Sequence, residues 1–127
     1  MNRAASRSAV VIEDDDGIRS LIRAVLERAG LDVITTNNGL DGIAAVRGSQ
    51  PVVVTVDIRM PGMSGIETTR RIRSLSDALI VVLSASGTER DEADSLESGA
   101  DLFIAKPFRP RDLQQQVEAG LRAKHGD

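Results

Sequence analysis

Five short apolar runs alternate along the chain with longer stretches in which apolar and polar residues mix. The runs cover residues 9–12, 31–35, 52–56, 79–83 and 102–105. Three of them show no polar alternation, which is typical of strands buried on both faces of a parallel sheet. We therefore predict five β-strands, and four of them stop at a charged residue or a serine.

The segments between the runs carry apolar residues at helical spacing. The clearest stripe runs from Ile18 to Ala29 and ends at Gly30, with Asp15 or Asp16 as the predicted N-cap. Weaker stripes predict three further helices: Leu40, Ile43 and Ala44; Ile66, Thr69 and Ile72; and Leu113, Val117 and Leu121 in a helix opening at Pro110.

The segment 88–98 is different, because Ala93 and Leu96 are its only apolar anchors among several acidic residues. We expect a helix here that is held loosely against the sheet. Strand–helix alternation over the whole length predicts an α/β fold, with a doubly wound, five-stranded parallel sheet in three α/β/α layers. In such folds, sites form at the carboxyl ends of the strands.

Composition narrows the class of protein. The 127 residues suit one domain, which we place at residues 9–124, with a disordered tail at 1–8 and a short tail at 125–127. The absence of cysteine suits a reducing compartment, and no apolar run is long enough to span a bilayer, so we expect a cytoplasmic protein. A net charge of −3 and only two aromatic residues argue against direct nucleic-acid binding by this domain.

Polar residues at the predicted strand ends carry the candidate chemistry. Glu13 and Asp14 follow the first strand, Asp57 the third, Ser84 the fourth and Lys106 the fifth. Each residue alone has an ordinary explanation as a cap, turn or solvated charge. Together, three carboxylates on one rim would repel each other without a cation, and an oxygen-only ligand set favours Mg²⁺.

Five ordered motifs carry a family resemblance. They are residues 10–15 (VVIEDD), 56–65 (VDIRMPGMSG), 83–85 (LSA), 99–101 (GAD) and 104–108 (IAKPF). From residue 9 to 123 the chain resembles the receiver domain of two-component response regulators, a CheY-like, flavodoxin-like (βα)5 fold.

The resemblance implies a role for each residue of the rim. Asp57 is similar to the phosphoacceptor, and Glu13 and Asp14 to the acidic pair that holds Mg²⁺ with Asp57 and the Arg59 backbone carbonyl. The remaining implied roles are these: Ser84 and Lys106 contact the phosphoryl oxygens, Phe103 is the switch aromatic that responds to Ser84, and Lys106–Pro107 is a cis peptide.

The implied function is a phosphorylation-activated signalling switch rather than a turnover enzyme. The phosphoryl group would come from the phosphohistidine of a sensor histidine kinase or a phosphotransfer protein. The face built from residues 88–98, the fifth strand and the last helix would then control a partner protein or an output domain. Glu92, Leu102 and Gln116 replace the charges with which one receiver subfamily pairs symmetrically through this face, leaving a monomer or another phosphorylation-dependent dimer.

Three alternative functions use a related fold or site. A haloacid-dehalogenase-like phosphatase needs a second aspartate where Arg59 stands, and a flavodoxin-like carrier needs aromatic residues to sandwich its flavin. A receiver-like interaction domain that works without phosphorylation stays open.

Overall fold

The structure, a computed structural model, describes residues 7–125. Its strands are β1 (Ser8–Ile12), β2 (Asp32–Thr36), β3 (Val53–Asp57), β4 (Leu79–Ser84) and β5 (Leu102–Ala105). Its helices are α1 (Asp16–Arg28), α2 (Gly39–Ser49), α3 (Gly65–Arg73), α4 (Glu89–Ser98) and α5 (Pro110–His125). Residues 1–6 of the expected N-terminal tail and 126–127 of the C-terminal tail lie outside the described residues, whereas Ser8 already belongs to β1.

The five strands form one parallel sheet in the order β2-β1-β3-β4-β5. This arrangement confirms the predicted doubly wound α/β fold. The central strands β1, β3 and β4 are almost fully buried, as their uninterrupted apolar runs indicated. The edge strand β2 is partly exposed, in keeping with its mixed sequence.

Two apolar cores cover the two faces of the sheet. One is formed by inward residues of α1 and α5, among them Ile22, Leu26, Leu113 and Val117. The other includes Ile43 and Val46 of α2 and Ile72 of α3. Among the described residues, no helix is both long enough and apolar enough to cross a membrane.

The helix boundaries follow the capping signals in the sequence. The side chain of Asp15 accepts a hydrogen bond from the backbone N–H of Ile18 at 2.8 Å, so Asp15 is the N-cap of α1. Asn38, Ser64 and Thr88 cap the next three helices in the same way. The last helix opens at Pro110, as predicted.

The inward face of α2 differs from the prediction. Leu40 is 64% exposed and Ala44 is exposed, whereas Gly42 is buried against the side chain of Ile12. A Cβ added at Gly42 would lie 2.3 Å from Ile12 Cδ1, so this face of the helix approaches β1 too closely for a side chain. The hydrophobic pattern predicted the helix but only part of its buried face.

The inward face of α4 was also predicted wrongly. Ala93 and Leu96 are exposed, and the buried residues are Ser95 and Ser98. Their hydroxyls donate to backbone carbonyls of the same helix, which lets small polar side chains pack without an unmet hydrogen bond. None of the side chains of α4 belongs to either apolar core, so its loose attachment to the sheet stays a prediction.

Candidate functional site

The carboxyl ends of four neighbouring strands form one rim of the sheet. Glu13 follows β1, Asp57 and Ser84 are the last residues of β3 and β4, and Lys106 follows β5. Asp57 and Ser84 were predicted just past their strands, and each is instead the final strand residue. Two backbone hydrogen bonds hold these ends together: Ile58 N–H donates to Leu83 O at 3.0 Å, and Lys106 N–H to Ser84 O at 2.8 Å.

Lys106 joins two of the carboxylates. Its Nζ donates to Glu13 Oε1 at 2.9 Å and to Asp57 Oδ1 at 3.1 Å. The side chains of Glu13, Asp57 and Lys106 are 1%, 8% and 11% exposed, so these charges interact with little screening by water. The peptide bond between Lys106 and Pro107 is cis, as the resemblance implied.

Burial dominates the electrostatics of the two acids. It raises the pKa of Asp57 above its ordinary value, with a further rise from Asp14, although the bond from Lys106 acts in the opposite direction. Burial likewise raises the pKa of Glu13, and the bond from Lys106 again opposes it. Both carboxylates therefore stand to be stabilised by an additional cation.

Lys106 itself stays firmly protonated. Burial alone would lower its pKa, but the hydrogen bonds and charges of Glu13 and Asp57 outweigh burial, and the net pKa is raised. The lysine is thus a permanent positive charge on the rim.

The donor set fits Mg²⁺. One carboxylate oxygen from each of Glu13, Asp14 and Asp57 can be chosen so that all three lie within 4.8 Å of one another. Asp14 is exposed, so this cluster is open to solvent on one side. A few carboxylate oxygens with room for waters are the arrangement that Mg²⁺ prefers.

A glycine lets the next helix approach Asp57 closely. A Cβ at Gly65 would lie 2.2 Å from the backbone O of Asp57 and 2.5 Å from Cα of Ile58. The N–H of Gly65 also donates to Ile58 O at 2.9 Å. The start of α3 is therefore fixed against the end of β3, which positions the Asp57 backbone.

Ser84 is fully buried and takes part in a second polar cluster. Its Oγ lies 3.0 Å from Ser86 Oγ and 3.3 Å from Oδ2 of Asp91 in the first turn of α4. Ser86 also donates a hydrogen bond to the same oxygen of Asp91. The guanidinium of Arg59 pairs with that oxygen at 3.5 Å.

Sequence reasoning missed Asp91 and Ser86 as members of the site. Asp91 belongs to an acid-rich helix that reads as a solvated surface. The available signal in the sequence was Thr88, an N-cap residue that places Asp91 in the first turn of the helix. In the structure, Thr88 Oγ1 accepts from the Asp91 N–H at 3.0 Å. Phe103, the predicted switch residue, is half-buried and packs against the second apolar core.

The sequence of this chain is similar to those of known proteins. The family model described as "Response regulator receiver domain" matches residues 9–118. The chain is 38% identical over 115 residues to the transcriptional regulatory protein AfsQ1 of Streptomyces coelicolor, covering 91% of this chain and 51% of that protein. It is also 38% identical over 113 residues to the DNA-binding response regulator MtrA of Mycobacterium tuberculosis, covering 89% of this chain and 50% of that protein. The chain thus spans about half the length of these curated relatives.

Solved structures share the fold. A CheY-like receiver domain protein from Methanospirillum hungatei superposes with a TM-score of 0.90 at 24% identity, covering 96% of this chain and 98% of the other. A response regulator from Chloroflexus aurantiacus superposes with a TM-score of 0.85 at 27% identity, covering 91% of this chain and 98% of the other.

Proposed function

The chain belongs to the response regulator receiver domain family, and from this premise we propose that Asp57 is its phosphoacceptor. Receiver domains are signalling switches rather than enzymes in the ordinary sense. The observation that supports the proposal most directly is the contact of Lys106 with Asp57 at a rim that also carries Glu13 and Asp14. That arrangement supplies a nucleophilic carboxylate, a fixed positive charge and ligands for a divalent cation.

The reaction transfers a phosphoryl group from a phosphohistidine. An oxygen of Asp57 forms a bond to phosphorus as the phosphorus–nitrogen bond breaks, and the imidazole leaves with the electron pair and takes up a proton. The product on this chain is an acyl phosphate. Catalysis of such a transfer depends chiefly on alignment and on neutralising charge.

Different residues of the rim would provide the alignment and the positive charge. Glu13, Asp14 and Asp57, with the backbone carbonyl of Arg59, would hold Mg²⁺, which supplies positive charge against the phosphoryl oxygens when bound. Lys106 is already held at Asp57 and remains charged, so it orients toward the same oxygens. Ser84 would donate its hydroxyl to a phosphoryl oxygen, and Phe103 would respond to the space that Ser84 leaves. In this scheme the domain promotes its own phosphorylation and dephosphorylation without turning over a separate substrate.

The partners follow from the chemistry. The phosphoryl donor would be a sensor histidine kinase or a phosphotransfer protein, and the phosphorylated chain would act on a partner protein or an output domain through α4, β5 and α5. Curated relatives about twice as long are named as DNA-binding or transcriptional regulators. The net charge of the chain predicts that this domain does not itself bind nucleic acid directly. That statement and the cytoplasmic location both stay predictions.

Phosphorylation of this chain can be tested by intact mass. We expect the wild type to gain one phosphoryl group after incubation with Mg²⁺ and acetyl phosphate, and to gain none with EDTA. The Asp57→Asn variant should show no adduct. Asp77→Asn changes an exposed aspartate that precedes β4, at the opposite end of that strand from Ser84, and should behave as wild type. No adduct on the wild type, together with no Mg²⁺-dependent response to beryllofluoride, would favour the interaction domain that works without phosphorylation.

A further inference from the structure

A single oxygen of Asp91 accepts hydrogen bonds from three side chains that follow or end β3 and β4. Oδ2 accepts from Ser84 at 3.3 Å, from Ser86, and from the Arg59 guanidinium at 3.5 Å. Asp91 comes from α4, whereas Ser84 ends β4 and Arg59 follows β3. The carboxylate therefore ties three separate segments together beside the rim.

Ser84 is also the hydroxyl proposed above to donate to a phosphoryl group on Asp57. A serine hydroxyl carries one proton, so Ser84 can donate to Asp91 or to a phosphoryl oxygen but not to both at once. Arg59 lies two residues after Asp57 and already directs its charge to Asp91. A phosphoryl group brings close to two negative charges and three strong acceptor oxygens, and so competes with a carboxylate for both donors.

Asp91 is well placed to compete in the absence of phosphate. Its side chain is 16% exposed, and its own N–H is capped by Thr88 at 3.0 Å, which holds the carboxylate at the start of the helix.

Resting on the function proposed above, we propose that Asp91 is an internal competitor of the phosphoryl group, a positioning residue that holds Ser84 and Arg59 in the unphosphorylated arrangement. Phosphorylation of Asp57 withdraws these donors, leaves the Asp91 carboxylate with fewer partners, and so releases the first turn of α4. The inward face of α4 buries Ser95 and Ser98 and no aliphatic side chain, so less apolar contact opposes a shift of this helix than of its neighbours. Asp91 thereby links the acceptor site to the face that a partner would read.

Removal of the competitor should strengthen binding of a phosphoryl mimic. We expect Asp91→Ala to bind beryllofluoride, in the presence of saturating Mg²⁺, about 3- to 10-fold more tightly than the wild type, the range set by the net contribution of one ordinary hydrogen bond. Because the chain has no Trp or Tyr, the titration is best followed by backbone amide NMR. Glu89→Ala is the matched control, since Glu89 lies in the same first turn, is exposed and carries the same charge.

Two further measurements separate positioning from a general structural effect. The affinity for Mg²⁺ alone should be the same in wild type and Asp91→Ala, since Asp91 is not among the clustered carboxylates of the rim. In a Ser84→Ala background, the gain from Asp91→Ala should be smaller, because the part that acts through the Ser84 hydroxyl is lost and only the part that acts through Arg59 remains. A general loosening of α4 would persist in that background.

The outcomes distinguish this inference from the function on which it rests. If the wild type binds beryllofluoride but Asp91→Ala and Glu89→Ala bind it equally well, Asp91 is not a competitor and the phosphoacceptor proposal stands. An equal gain with and without Ser84 would also overturn the inference. If the wild type binds no beryllofluoride with Mg²⁺ present, both proposals fall.

Discussion

Lys106 lies between two buried carboxylates and does not fully compensate them. Its Nζ contacts Glu13 and Asp57 at about the same distance, yet the pKa of each acid is still raised, because burial is the larger effect. Ionised Asp57 therefore lowers the stability of the fold without a cation. This is a common compromise at sites where charged groups are kept for chemistry.

That compromise predicts a gain in stability on removing the charge. Because the folded pKa of Asp57 lies above its ordinary value of 3.8, the folded chain binds this proton more tightly than the unfolded chain. The unfavourable contribution is present at neutral pH and vanishes as the pH falls through the folded pKa to below 3.8. In EDTA, Asp57→Asn should thus raise the free energy of unfolding at pH 7, and its advantage should shrink on acidification.

Urea unfolding followed by circular dichroism at several pH values measures this difference. Asp77→Asn serves as the control, since Asp77 is exposed and should show no such advantage. A variant of Asp57 that is no more stable at pH 7, or whose advantage grows as the pH falls, would contradict the explanation.

At the level of single elements, the residue that caps the C-terminus of α2 has a left-handed backbone conformation. The helix ends at Gln50, which has a φ of +48° and is exposed, while its N–H donates to Val46 O at 2.9 Å. A left-handed conformation disfavours any residue with a Cβ and suits glycine. The end of α2 is therefore strained by its own side chain.

Gln50→Gly should relieve this strain. We expect the free energy of unfolding to rise by about 0.5–1 kcal/mol, since the gain in the folded state exceeds the added freedom of the unfolded chain. Gln50→Ala keeps the Cβ and removes the rest of the side chain, so it should leave stability near the wild-type value. Equal effects of the two variants in a denaturant titration would show that the Cβ is not the cause.

Asp101, in the turn before β5, connects four elements. It accepts from the N–H of Ile80 at 2.9 Å and from Arg73 at 2.8 Å through Oδ2, and from Lys124 at 3.1 Å through Oδ1. These partners come from β4, α3 and α5, and the Asp101 side chain is only 29% exposed.

We expect Asp101→Ala to lower the free energy of unfolding by about 1–3 kcal/mol, because a backbone donor and two cations lose their shared acceptor. Lys124→Ala should have a smaller effect, about 0–1 kcal/mol, as is usual for one ion pair near the surface. Thermal unfolding of both variants beside Asp77→Ala tests the order. A loss on Asp101→Ala no larger than that on Lys124→Ala would mean that the bond to Ile80 contributes little.

On the scale of the whole molecule, the order of apolar runs and helices predicted the sheet because buried parallel strands and right-handed crossovers leave few other topologies. It also predicted that Glu13, Asp57, Ser84 and Lys106 share one rim, since the strand ends coincide there. The orientation of Ser84 toward α4 could not be predicted. It depends on Asp91, whose contact with Ser84 is visible only once β4 and α4 are placed side by side.

The charge of α4 also bears on self-association. Its exposed acids are Glu89, Glu92, Asp94 and Glu97, its last turn carries no base, and Arg90 is engaged with Asp94 at 3.8 Å. A symmetric dimer that brings this helix against its own copy would place like charges opposite each other, at a cost greatest in low salt.

We therefore expect the 127-residue chain to sediment as a monomer at low ionic strength, with or without Mg²⁺ and beryllofluoride. Asp57→Asn is the control for any association that depends on the acceptor site. A dimer that forms in the wild type on adding beryllofluoride, and not in Asp57→Asn, would show that the chain pairs through a surface whose attraction exceeds this repulsion.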